Sequence, residues 1–85
     1  MIVKKQTAPT TDVAWGEGCT EVAITLTTTP NNTCFIDVYG NGDDFLFGMC
    51  LSCTSRESAE EVFSEVVSSQ DVKVSNLQAK GFEDY

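Results

Sequence analysis

An α+β fold with an antiparallel sheet is predicted by three features of the sequence. Three runs alternate apolar and polar residues, an Asn41-Gly42 hairpin signal separates the second run from the third, and a capped amphipathic segment follows directly. The expected order is β-β-β-α-β: a sheet of three to four strands with one amphipathic helix packed on one face. At 85 residues the chain is expected to form a single domain over 1–85, with 1–18 as a weakly structured lead-in and 81–85 as a tail.

Within the lead-in, Ile2-Val3 suggests no more than a short edge strand. Residues 7–12 read as a loop and Gly16-Glu17-Gly18 as a turn. Trp15, the only tryptophan, is expected to cap the core. The first strand run sets Val22, Ile24 and Leu26 against Ala23, Thr25 and Thr27, and Thr29-Pro30-Asn31-Asn32 ends it. The second run sets Cys34, Ile36 and Val38 against Phe35, Asp37 and Tyr39. The third sets Phe45, Phe47, Met49 and Leu51 against Leu46, Gly48, Cys50 and Ser52.

A two-residue Asn41-Gly42 loop pairs Val38 with Phe45, Ile36 with Phe47 and Cys34 with Met49 on one apolar face. The other face then pairs Tyr39 with Asp44, Asp37 with Leu46, and Phe35 with the bare backbone of Gly48. After this hairpin, Thr54-Ser55-Arg56-Glu57 has the form of a capping box. Ala59, Val62, Phe63, Val66 and Val67 follow at helical spacing on one face. Glu57, Glu61 and Glu65 form an i,i+4 line of like charge, which costs a few tenths of a kcal/mol per pair, roughly. Burial of the apolar face outweighs that, at about 1.5–3 kcal/mol per large side chain. A last strand is expected over 72–79, returning to the sheet.

Charge excludes several functions. Thirteen acids, five bases and no histidine give a net charge of −8. Phosphate backbones and anionic membranes both need Lys and Arg, so direct nucleic-acid or membrane binding is not expected. No run approaches the ~20 apolar residues of a membrane span, and the N-terminal residues lack a signal peptide's apolar segment. The expected location is therefore cytoplasmic, in a bacterial or phage-infected host cell. Without histidine there is no ordinary Ser-His or Cys-His nucleophile pair, and adjacent acids such as Asp43-Asp44 and Glu60-Glu61 read as solvated. The chain is expected not to be an enzyme and to carry no cofactor or metal.

Four cysteines bear on that expectation. Cys50-Leu51-Ser52-Cys53 has the C-x-x-C spacing of redox and zinc sites. If extended, it sets its two Cα atoms about 10 Å apart, beyond the ~7 Å limit of a disulfide. A zinc site would have to gather Cys19 and Cys34 from opposite ends of the sheet. Buried reduced thiols are the expected state.

Two surfaces remain as candidates for binding a partner. One is the acidic helix face of Glu57, Glu60, Glu61 and Glu65. The other is the sheet face away from the helix, with Asp37, Tyr39, Asp43 and Asp44 beside Phe35 and Leu46. In size and charge the chain is similar to small acidic bacteriophage proteins that block host nucleic-acid-binding defences, anti-CRISPR and anti-restriction inhibitors among them, although no motif identifies a family. That similarity implies binding and inhibition of a basic, nucleic-acid-binding protein, with carboxylates placed as a DNA mimic places them. The competing expectations are a structural or regulatory homodimer or accessory subunit, and a C-x-x-C thiol or zinc module.

Overall fold

The computed structural model describes residues 2–40 and 47–84. Within them lie five strands and two α-helices: β1 (Ile2–Pro9), β2 (Glu21–Thr28), β3 (Cys34–Gly40), β4 (Gly48–Cys53), α1 (Arg56–Val67), α2 (Val74–Lys80) and β5 (Glu83–Asp84). The strands lie side by side in chain order and each neighbouring pair is antiparallel. The α+β class and the antiparallel sheet agree with the sequence. The order β-β-β-α-β does not, because one more strand and one more helix are present.

The alternation in β2 and β3 does what a period of two requires. Ile24, Val38 and Met49 lie in one row across three strands, and Leu26, Ile36 and Leu51 in the next. All of these but Leu51 are fully buried, and Leu51 packs at the margin of the same cluster. Helix α1 covers this face with Ala59, Phe63 and Val66, and α2 adds Leu77. The opposite face carries Thr25, Asp37, Cys50 and Glu83 in one row and Ala23, Tyr39 and Gly48 in another. Neither helix covers it among the described residues.

Four expectations are corrected. The lead-in is not weakly structured: β1 runs for eight residues along β2, and its last three residues fall where a loop is expected. Its sequence hides it because Lys4, Lys5 and Gln6 sit on an edge strand that needs no apolar alternation, and edge lysines discourage further pairing.

The β3–β4 register differs by four residues from the one read off the Asn41-Gly42 signal. Val38 pairs with Met49, Ile36 with Leu51, Cys34 with Cys53, Asp37 with Cys50, Phe35 with Ser52 and Tyr39 with Gly48. Parity is kept, so the same side chains of β3 face the core. Phe47 lies outside the ladder and packs against Trp15, ring centroids 5.5 Å apart. Asn41, Gly42, Asp43, Asp44, Phe45 and Leu46 lie outside the described residues.

The helix cap moves by one position. Ser55, not Thr54, is the N-cap of α1, and its hydroxyl accepts from the Ser58 amide at 3.2 Å. The last correction is the largest. Where a strand is expected over 72–79, the chain forms α2, and the expected tail contains β5 and the buried Phe82. Gly81, with φ 104°, ends α2 in a Schellman turn: its amide bonds Gln78 O, and Phe82 N bonds Leu77 O at 3.0 Å. The N-terminal end of α2 has no local side-chain cap. The Asp12 carboxylate, sixty-two residues away, accepts from the Val74 amide at 2.9 Å instead.

That bond belongs to a clasp between the β1–β2 and α1–α2 connections. Trp15, at the end of a 3-10 turn (Val13–Trp15), is fully buried and donates its Nε1–H to Val72 O at 3.0 Å. The buried Thr10 hydroxyl donates to the same carbonyl at 2.6 Å, and Val72 N donates to Pro9 O. Gly40 is required beneath Trp15, since a Cβ there would stand 2.7 Å from the Trp15 carbonyl oxygen. Trp15 therefore fulfils the expectation of a core cap.

Candidate interaction surfaces

Helix α1 presents Glu57, Glu60, Glu61 and Glu65 because its apolar residues occupy the face against the sheet. Their surroundings separate them. Glu60 bridges to Lys4 of β1 at 3.3 Å and lies 3.8 Å from Arg56 one turn earlier. Glu65 accepts from Lys80 of α2 at 2.7 Å. Glu57 and Glu61 are exposed, one turn apart, and form no ion pair among the described residues. The β1 side of α1 is less acidic still, because Lys4 and Lys5 line an open groove of about 650 Å³ there, over Phe63 and Val67. Lys4 also stands 5.9 Å above the Phe63 ring. The unneutralised charge of α1 is thus concentrated at Glu57 and Glu61.

The second surface holds Asp37 and Tyr39, two residues apart on β3 and both half-buried. Asp37 lies between Thr25, whose hydroxyl is 3.5 Å from its Oδ2, and Cys50. The Cys50 thiol is pushed up to about 12, first by burial and then by its hydrogen bond to Asp37 and the charges of Asp37, Cys53 and Glu83. It is protonated at neutral pH and is a poor nucleophile. Tyr39, rather than Phe35, lies across from Gly48. The fold brings the four glutamates together on α1 and Asp37 and Tyr39 together on β3, with the sheet between the two groups. Asp43 and Asp44 fall outside the described residues.

The C-x-x-C spacing does not make a joint site. Cys50 and Cys53 lie three apart on the extended β4, so one side chain faces Asp37 and the other faces the core. No set of three or more Cys, Asp or Glu side chains converges as a metal site among the described residues. No described helix is long and apolar enough to cross a membrane.

Among the described residues, Asp71 is the one carboxyl with a resolved shift. It accepts from the Thr11 hydroxyl at 2.6 Å and the Thr11 amide at 2.8 Å. These bonds, with Lys73 alongside, hold its carboxyl below the ordinary 3.8 despite a smaller opposing effect of burial. A depressed carboxyl stabilises the fold above its unfolded-state titration, and that contribution is lost as pH falls through the folded-state value. The stability deficit of Asp71→Asn is therefore expected to be present at neutral pH and to vanish on acidification. Urea titrations of both proteins across the acid range check this; a deficit independent of pH refutes the assignment.

No family model matches the chain, and neither does a curated protein or a solved structure.

Proposed function

We propose that the chain is a non-enzymatic binding protein whose partner presents a basic surface, and that it inhibits that partner by covering a site for nucleic-acid phosphates. One observation carries this reading. Four of the five basic residues (Lys4, Arg56, Lys73 and Lys80) are already engaged in ion pairs with Glu60, Asp71 and Glu65, and Glu57 and Glu61, part of the net −8, have no ion-pair partner among the described residues. Glu57 and Glu61 are the exposed part of that excess on a rigid helix. A field of one sign steers an oppositely charged partner and speeds encounter, and the carboxylates then form charge-assisted bonds to Lys and Arg.

The test is capture of the partner from lysate of the cells that make the protein, at low and high salt and with added DNA. A DNA-binding complex released by either treatment is expected. Glu57→Lys with Glu61→Lys should weaken that capture by about tenfold or more while leaving the melt cooperative, because neither side chain packs in the core and the lost first-turn carboxylate of Glu57 costs only about 1 kcal/mol. Capture that resists salt and DNA, or that survives the double variant, rules the reading out.

A second reading rests on Phe35 and Tyr39, half-buried aromatics on the sheet face that neither helix covers. A homodimer joined through that face would persist at high salt and dissociate in Tyr39→Ala, as sedimentation would show.

A further inference from the structure

The β3–β4 register sets Cys34 directly opposite Cys53. Cys34 opens β3 and Cys53 closes β4, so the two form the terminal rung of that ladder. Both lie on the helix-covered face, 2% and 8% exposed, beside the row of Leu26, Ile36 and Leu51. Opposed side chains on antiparallel strands have Cβ atoms about 4.5–5.5 Å apart. A disulfide needs about 3.5–4.5 Å between Cβ atoms, with Cα atoms about 4.4–6.8 Å apart. Closing the gap takes a shift of about 1 Å or less, at a ladder end where only one flank is held by further pairs.

The other pairings are excluded by the same geometry. Cys50 faces the opposite side of the sheet, hydrogen-bonded to Asp37. Cys19 lies beside Gly40, at the far end of β3 from Cys34, and its thiol donates to Glu21 O. The sequence places the C-x-x-C at 50 and 53, whereas the fold places the opposed pair at 34 and 53.

We propose that Cys34 and Cys53 are a disulfide-forming pair that locks β3 to β4 when the protein meets a disulfide oxidant and releases them on reduction. With oxidised glutathione, the more exposed Cys53 thiol loses its proton and attacks one glutathione sulfur, forming a mixed disulfide and expelling one glutathione thiolate. The Cys34 thiolate then attacks the Cys53 sulfur and expels the second glutathione. Two protein thiols are oxidised by two electrons, and one glutathione disulfide is reduced to two glutathione thiols. Burial and the neighbouring Cys34 hold the Cys53 thiol above its ordinary 9.0, so the reaction quickens as pH rises.

The experiment uses the full chain, reduced and then incubated with glutathione disulfide at mildly alkaline pH under native conditions. Intact mass should fall by two hydrogens, alkylation after unfolding should modify two thiols instead of four, and digestion should yield one peptide pair joining 34 to 53. The oxidised form should melt roughly 10 °C higher, and dithiothreitol should return it to the reduced value. Cys19→Ser with Cys50→Ser should still form the bond; Cys34→Ala should not. Four reactive thiols after oxidation, glutathione adducts with no internal bond, or a link through Cys19 or Cys50 would each overturn the proposal.

Discussion

Trp15→Ala is expected to remove most of the stability of the fold. Truncating a fully buried tryptophan costs about 3–5 kcal/mol through lost burial and the cavity left behind. The Nε1–H bond to Val72 O is lost too, at about 1 kcal/mol. Thr10 still donates to that carbonyl, so it is not orphaned. The whole fold is expected to be worth roughly 4–13 kcal/mol, from 0.05–0.15 kcal/mol per residue. The loss spreads, because Trp15 closes the end of the sheet over Gly40, packs at a tilt against the Phe47 ring and holds the α1–α2 connection through Val72. Trp15→Phe separates the effects by keeping most of the packing without the donor, and should lose about 1–2 kcal/mol. Urea unfolding followed by circular dichroism measures both. An alanine variant within about 1 kcal/mol of the parent protein would contradict the role assigned to Trp15.

What the sequence disclosed and what it concealed divide along the distance between interacting residues. The strands β2 and β3 are legible because alternation is a property of consecutive residues, and α1 is legible because Ala59, Phe63 and Val66 repeat within twelve residues. The helix α2 is not legible because its N-terminal acceptor, Asp12, lies far away in the chain. A local signal did exist, however: Leu77 followed by Gly81-Phe82 matches a Schellman ending with its apolar contact. The register failed because Asn41-Gly42 is a local turn signal, while Phe47 packs on Trp15 outside the ladder.

The candidate surfaces follow the same rule. The acidic face of α1, with Glu57, Glu60, Glu61 and Glu65, is legible from helical spacing. Its partial neutralisation is not, since Lys4 and Lys80 arrive from β1 and α2. The pairing of Cys34 with Cys53 is hidden in the sequence because the Asn41-Gly42 signal sets Cys34 opposite Met49.

Phe63→Asp should unfold the protein at room temperature, and the case turns on whether Lys4 could rescue it. Phe63 is 5% exposed and lies under α1 against the sheet. The substitution forfeits about 3–5 kcal/mol of packing before charge is considered. An uncompensated carboxylate in that position adds several kcal/mol more, or takes up a proton instead. Lys4 stands 5.9 Å from the ring centroid, but it already bridges Glu60, and its side chain is 44% exposed. An ion pair in such a half-solvated place contributes about 1 kcal/mol at most, and the shorter aspartate would have to reach past the space the ring leaves. Burial therefore wins, and the expected result is loss of the cooperative melt. Phe63→Leu should retain it with a loss near 1–1.5 kcal/mol, roughly. A cooperative melt for Phe63→Asp that collapses only when Lys4→Ala is added would show that the groove beside β1 admits charge, and that α1 does not rest on Phe63.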